Sequence, residues 1–199
     1  MVVRRSPNPT ATVSLGLSSP TILNMAWAPE HIEFRKLIED FCEAVEHPKD
    51  NPLDSLTLVR NRLIPLYAAA LILPEMPGAA DETPPIEFEV GQHFQMLETV
   101  RTYTGSDLFW FCYEPFAETC DEPVATTLAG EITEVWYDVK PGLLNLADDE
   151  QRWAATVFWD WKFSFETHWG NHAVDSIWAI HKLLRDARPG TTHESPAKP

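Results

Sequence analysis

The stretch that most restricts how this chain can fold is WAATVFWDWKFSFETHWGNHAVDSIWAIH, residues 153–181. It holds five of the eight tryptophans (Trp153, Trp159, Trp161, Trp169 and Trp178) and three of the seven histidines (His168, His172 and His181). At about 100° per residue, Phe158, Trp161, Phe165, Trp169, Ser176 and Ala179 fall on one side of a helix. Glu166, Ala173, Ile177, Ile180 and Leu184 widen that stripe, and Asp160, Ser164, Thr167, Asn171 and Lys182 mark the opposite, wet side. A stripe this broad needs more than one neighbouring helix to cover it, so this helix is expected at the centre of a bundle. It starts at Asp148, Asp149 and Glu150, acids favoured at a helix N-terminus, and stops at Pro189-Gly190. Its length is then about 57 Å at 1.5 Å per residue. That is long for one domain, and Gly170 is the best place for a bend.

The remaining helices are set by the same period. Pro29 opens a first helix to His47, with Phe34, Leu37, Ile38, Phe41, Cys42 and Val45 inward. Asn51-Pro52 opens a second, to about Leu73, with Leu56, Val59, Leu63, Leu66, Tyr67, Ala70 and Leu71 as its stripe and a kink expected at Pro65. Residues 74–85, PEMPGAADETPP, read as a loop. A third helix is expected over 86–104, with Phe88, Phe94, Leu97 and Val100 inward. Residues 106–123 are aromatic without clean periodicity. A short helix is preferred there, because no partner strand is visible elsewhere. Thr126 or Thr127 caps a fourth helix whose buried face is Leu128, Ile132, Val135, Trp136 and Val139, interrupted at Pro141-Gly142. The expectation is an all-α, single-domain bundle of about five helices with a long, bent C-terminal helix over 29–187. Residues 188–199 read as a polar, disordered tail.

Residues 1–28 stand apart. They carry Arg4 and Arg5 and no acid, while the chain as a whole has a net charge of −15. They read as a disordered tail, or as a start placed too early with Met25 the true one; a twin-arginine or transit signal is a weaker alternative. The acidity makes a nucleic-acid backbone or an anionic membrane an unfavourable partner and suits a basic protein, a cation or plain solubility. No apolar run reaches the roughly 18 residues a membrane span needs. Cys42, Cys112 and Cys120 are odd in number and scattered, so a disulfide framework is not expected and a cytoplasmic setting is the default. Cys42 reads as a small buried hydrophobe.

The chemistry-bearing residues lie on the last two helices. His168 and His172 are four apart and share one helix face, the spacing two metal ligands on one turn require. HWGNH lacks the glutamate of the metalloprotease motif, and Glu-x-x-His is absent, so neither of those classes applies. Glu131, Glu134 and Asp138 step by three and four along the fourth helix. If that helix packs beside the last one, its carboxylates meet the histidines. His168, His172, Glu134 and Asp138 are therefore the candidate metal ligands. Glu166 reads as a carboxylate inside the apolar stripe, in need of a partner such as Arg60, Arg62, Arg101 or Lys162, or as an acid orienting the ligands. Trp169 and Asp175 complete the candidate site.

GEITEVWYDVKPGLLNL followed by WDWKFSFETHWGNHAVDSIWAIH resembles the bacterial domain of unknown function 5063 family. That family carries an acidic DLADIY-DLK-GL helix and then an aromatic W-FSF--HWG-H helix ending in AL-ALH. Glu131, Glu134 and Asp138 occupy the acidic places; His168, Trp169, Gly170 and His172 occupy the second motif. Leu63 to Pro74 is similar to the family's L--LY--A--LP, and the resemblance covers roughly residues 30–184. Trp136 and Pro141 depart from the usual residues. The resemblance implies a helical fold and bacterial origin, and no activity.

Two functions are expected for such a chain. The first is a non-enzymatic, cytoplasmic interaction module with no cofactor, acting on a protein partner through its acidic surface. The alternative is a bundle that binds a divalent metal, or uses one for hydrolysis, through His168 and His172.

Overall fold

The first two helices form where proline and asparagine signals place them. The computed structural model describes residues 28–74, 76, 83–105, 109–112 and 124–188. Helix α1 (Pro29–Glu46) has its proline in the first turn, where the missing N–H costs nothing. Helix α2 (Pro52–Ile72) is capped by Asn51, whose side chain accepts from the Leu53 N–H at 2.9 Å, and it continues through Pro65. Their inward faces, from Phe34, Ile38 and Phe41 to Val59, Leu63 and Leu66, are fully buried. Leu71 is a correction: it is exposed, as is Ile72 beside it at the end of α2. Cys42 is buried as expected, and burial pushes its thiol well up from its ordinary pKa.

Helix α3 (Val90–Thr104) starts later than its apolar pattern indicates. Residues 83–89 run beforehand without regular structure, so Phe88 packs from an extended segment, stacked on Trp136 at 4.9 Å. Phe94, expected inward, is exposed, while Val100 further along α3 is buried; the helix is opened by the Glu89–Gln92 capping box. A second correction concerns the region read as a short helix. Strand β1 (Phe109–Cys112) pairs antiparallel with β2 (Val124–Thr127), Phe109 opposite Thr127 and Cys112 opposite Val124. The partner strand is the β-branched VATT run, whose threonines read in the sequence as helix caps alone. Thr127 does both: it ends β2 and accepts from the Gly130 N–H at 3.0 Å.

Helix α4 (Leu128–Ser164) consists of two helical arms joined across a kink. Asp149 leaves helical geometry at φ −151°, ψ 89°, and its carboxylate accepts from the Arg152 N–H at 3.1 Å, capping the second half of the helix. The Trp161 indole N–H donates to the Val139 carbonyl at 3.0 Å, across 22 residues. A straight helix would hold those residues about 33 Å apart. The two arms, 128–148 and 150–164, therefore lie antiparallel. Counted as helical runs, kink included, the described residues contain four; the fifth expected helix is the arm beyond Asp149. It begins at the acids that mark its start in the sequence.

That arm continues through a π-helical turn (Phe165–Trp169) into α5 (Gly170–Asp186). The bend expected at Gly170 falls instead at Asp149; at Gly170 the backbone stays helical behind a widened turn. The Gly170 N–H bonds to the Phe165 carbonyl, and a Cβ at 170 would collide with that oxygen. Phe158, Trp161, Phe165, Trp169, Ser176 and Ala179 are all buried, as the helical wheel predicts. Glu166 is not: it is exposed and paired with Lys162 at 3.1 Å. It lies at the edge of the stripe, and one helical turn brings its carboxylate to the Lys162 ammonium instead of the core.

No helix among the described residues is long and apolar enough to cross a membrane. The tails expected at 1–28 and 188–199 lie almost wholly outside the described residues, as does Cys120. Two glycines offer a test of opposite sign. Gly91→Ala, with open space around the added methyl, should stabilise by a few tenths to about 1 kcal/mol. Gly170→Ala should destabilise by about 1–3 kcal/mol, because the π-turn must shift. Urea melts of both variants measure this, and equal signs would contradict the π-turn's role.

Candidate metal centre

The reversal at Asp149 brings the acidic face of the first α4 arm against the turn that carries the histidines. Glu131, Glu134 and Asp138 are on one face of α4 because they step by three and four. His168 sits in the π-turn and His172 in the first turn of α5, their rings 4.7 Å apart and edge to face.

Each histidine is held by its own carboxylate. His168 Nδ1 lies 2.8 Å from Asp138 Oδ2, and His172 Nδ1 lies 2.7 Å from Glu131 Oε2. An ionised carboxylate only accepts, so each Nδ1 carries the proton and donates it. That assigns the tautomer and leaves each Nε2 with a lone pair. The two Nε2 atoms face one another at 3.3 Å. Two lone pairs at that distance repel unless a cation lies between them, either a proton shared by the rings or a metal ion. An ion about 2.05 Å from each nitrogen would see them at about 107°, close to the tetrahedral angle zinc prefers.

Glu134 supplies a third donor. Its carboxylate and the two imidazoles offer ligand atoms all within 4.8 Å of one another. Glu134 Oε1 accepts from His93 Nε2 at 2.8 Å, so one oxygen is anchored on α3 and the group must swing inward to complete a tetrahedral set. Glu131 is buried and uses both oxygens, one on His172 and one on the Thr126 hydroxyl. It cannot serve as a ligand without losing those bonds. Carboxylates bonded to ligand histidines in this way fix ring orientation and raise basicity.

Of the four candidate ligands, the structure gathers His168, His172 and Glu134; Asp138 stands behind His168 instead. Trp169 is a core residue whose indole N–H donates to the Trp161 carbonyl at 3.1 Å. Asp175 and Glu166 are not part of the cluster. Sequence reasoning missed His93. Its signal was present: it shares a helix face with Leu97 and Val100, an imidazole where an apolar residue is expected.

The electrostatics reflect three acids and little countercharge. Burial pushes the Asp138 carboxyl above its ordinary range, and the His168 hydrogen bond only partly opposes this. For His172, burial acts to lower the pKa, but the Glu131 hydrogen bond and the charges of Glu131, Glu134 and Asp138 prevail and raise it above 6.5.

These features define an α-helical bundle domain with a histidine–carboxylate cluster between its last two antiparallel arms. The chain belongs to the family described as Domain of unknown function (DUF5063), whose model matches residues 26–186. Its fold is similar to the crystal structure of protein BF1032 from Bacteroides fragilis, with a TM-score of 0.66 and 14% identity, over 79% of this chain and 97% of that one. At that identity the likeness concerns the fold alone. No curated protein matches the chain.

The raised His172 pKa makes a stability prediction for metal-stripped protein. A group whose folded pKa exceeds its unfolded one stabilises fully below the unfolded value, and that contribution is lost as pH rises through the folded one. His172→Ala should therefore cost more stability at about pH 5.5 than at about pH 8.5, measured by urea unfolding in chelator. A cost that grows with pH would contradict the assignment.

Proposed function

We propose that this chain binds one divalent transition-metal ion, with His168 Nε2, His172 Nε2 and a Glu134 carboxylate oxygen as protein ligands. The observation that carries this reading is the pair of Nε2 atoms 3.3 Å apart, with both Nδ1 atoms engaged by carboxylates. Two nitrogens and one oxygen make a donor set suited to zinc, and three protein ligands leave a position for water. A water held there would be acidified and could act as a nucleophile, which is how the site would serve hydrolysis. Glu131 and Asp138 fill the outer role that the sequence offers to Glu166.

The reading as an interaction module with a basic partner rests on the overall acidity. A metal site draws on the same acidity and adds a specific distance, so it is preferred.

Untagged protein, stripped with chelator and checked by elemental analysis, should take up one zinc ion per chain in a competition titration. His168→Ala and His172→Ala should each weaken uptake by at least about 100-fold, and Asp138→Asn and Glu131→Gln by about 10–100-fold. Wild-type and double-histidine variants binding zinc equally would overturn the proposal.

A further inference from the structure

Asp138, whose Oδ2 holds His168, also lines a cleft of about 510 Å³ between the two α4 arms and residues 83–89. The far wall of this cleft is well fixed. The Asn145 side chain accepts from the Ile86 N–H at 3.0 Å and donates to the Ile86 carbonyl at 2.9 Å, and the Tyr137 hydroxyl donates to the Phe88 carbonyl at 2.8 Å. Three aromatic side chains line the space: Phe88, Tyr137 and Trp159. Trp159 is exposed, yet its ring is held parallel to Phe163, centroids 5.1 Å apart and 6° between planes. Phe163 is itself exposed, so the two rings form a stacked surface pair beside the cleft.

The charged groups of the cleft all have one sign. Among the described residues Asp138, Asp160 and Glu87 line it, and no lysine, arginine or histidine does. Asp160 has no hydrogen bond or ion pair among the described residues. Partial burial, followed by the charge of Asp138, pushes its carboxyl above the ordinary range. Asp138 accepts at Oδ2 from the His168 N–H, but no cationic side chain among the described residues of the cleft stands between it and Asp160, and a cation entering there relieves the repulsion of the two carboxylates. Aromatic faces attract the same class of ligand through the ring quadrupole.

We propose that this cleft binds a small organic ammonium ion, seated against the aromatic wall of Trp159 and Tyr137 and paired with the Asp138 and Asp160 carboxylates. The volume is in the range of small-molecule pockets. An inorganic cation would gain from the carboxylates but nothing from an apolar, aromatic lining. An anion is excluded by charge. The inference does not rest on the metal reading, because none of the three proposed metal ligands lines the cleft.

Calorimetric titration of the full chain, in chelator and at about 0.15 M salt to screen exposed charge, tests it without reference to metal. The probe is cadaverine, with 1,5-pentanediol as the neutral isostere. Cadaverine should bind one to one, and pentanediol should show no saturation. Asp160→Asn should weaken cadaverine at least tenfold, and Trp159→Ala about 2–30-fold. Lys182→Ala, on the outer face of α5, should leave it unchanged. Nα-acetyl-lysine amide, which mimics a lysine of a partner protein, should bind more weakly than the free diamine. Equal affinity for wild type, Asp160→Asn and Trp159→Ala would overturn the proposal, since the acidic surface alone would then account for binding. Tighter binding of the lysine amide would overturn the assignment to a free amine.

Discussion

The close approach of two antiparallel helical arms is the constraint on which the rest of this structure depends. Trp161 is fully buried where the arms meet, its N–H on the Val139 carbonyl of the opposite arm and its ring against Phe34 and Phe158. Opposite that ring stands Gly142, where a Cβ would lie 2.5 Å from the indole nitrogen. The arms can be this near only because one side offers a large flat ring and the other no side chain at all. That spacing sets Asp138 within reach of His168 and Glu131 within reach of His172. A wider gap would leave both carboxylates and both imidazoles to water.

The polar cluster is balanced on the same contact. Glu131 is buried at the start of α4, near helix N–H groups that favour negative charge, and each of its oxygens has a donor. Asp138 is less well compensated, and its raised pKa records the cost of burial. His93 steadies Glu134 from α3, so three helical segments contribute to one site. A set of acids that would repel if alone is tolerable because each faces an imidazole.

Much of the fold is legible in the sequence because it rests on period. The stripes of α1, α2 and the first α4 arm, and the Phe158–Ala179 face, are buried as the 3.6-residue repeat requires, with Leu37 and Tyr67 half-buried and Leu71 at the end of α2 exposed. What is not legible depends on features that period does not report. Glu166 lies at the edge of the stripe, where the wheel alone does not tell a buried carboxylate from one paired with Lys162 one turn away. Phe94 shares a helix face with Leu97 and Val100 but sits in the exposed first turns of α3. The β-hairpin is hidden because its second strand is four residues long and doubles as a helix cap. The candidate ligands are legible from the i, i+4 histidines and the three stepped acids, conditional on packing. Whether Asp138 binds or orients is not, since a side chain's choice between two roles depends on a distance. His93 escapes notice because its spacing to Leu97 and Val100 places it on the apolar face of α3 without pointing to the carboxylate it meets on α4.

Asn145 is a side-chain amide that does for Ile86 what a neighbouring strand's peptide would do, receiving its N–H and supplying a donor to its carbonyl. Residues 83–89 are thus attached through their main chain to a side chain of the helix. An attachment of this kind ignores the identity of the side chains it carries. Pro84 and Glu87 can change without touching these bonds, so one wall of the cleft is interchangeable while its attachment rests on Asn145, seconded by the Tyr137 hydroxyl on the Phe88 carbonyl. The bundle separates what it must keep, the amide at 145, from what it can vary, the surface that amide presents.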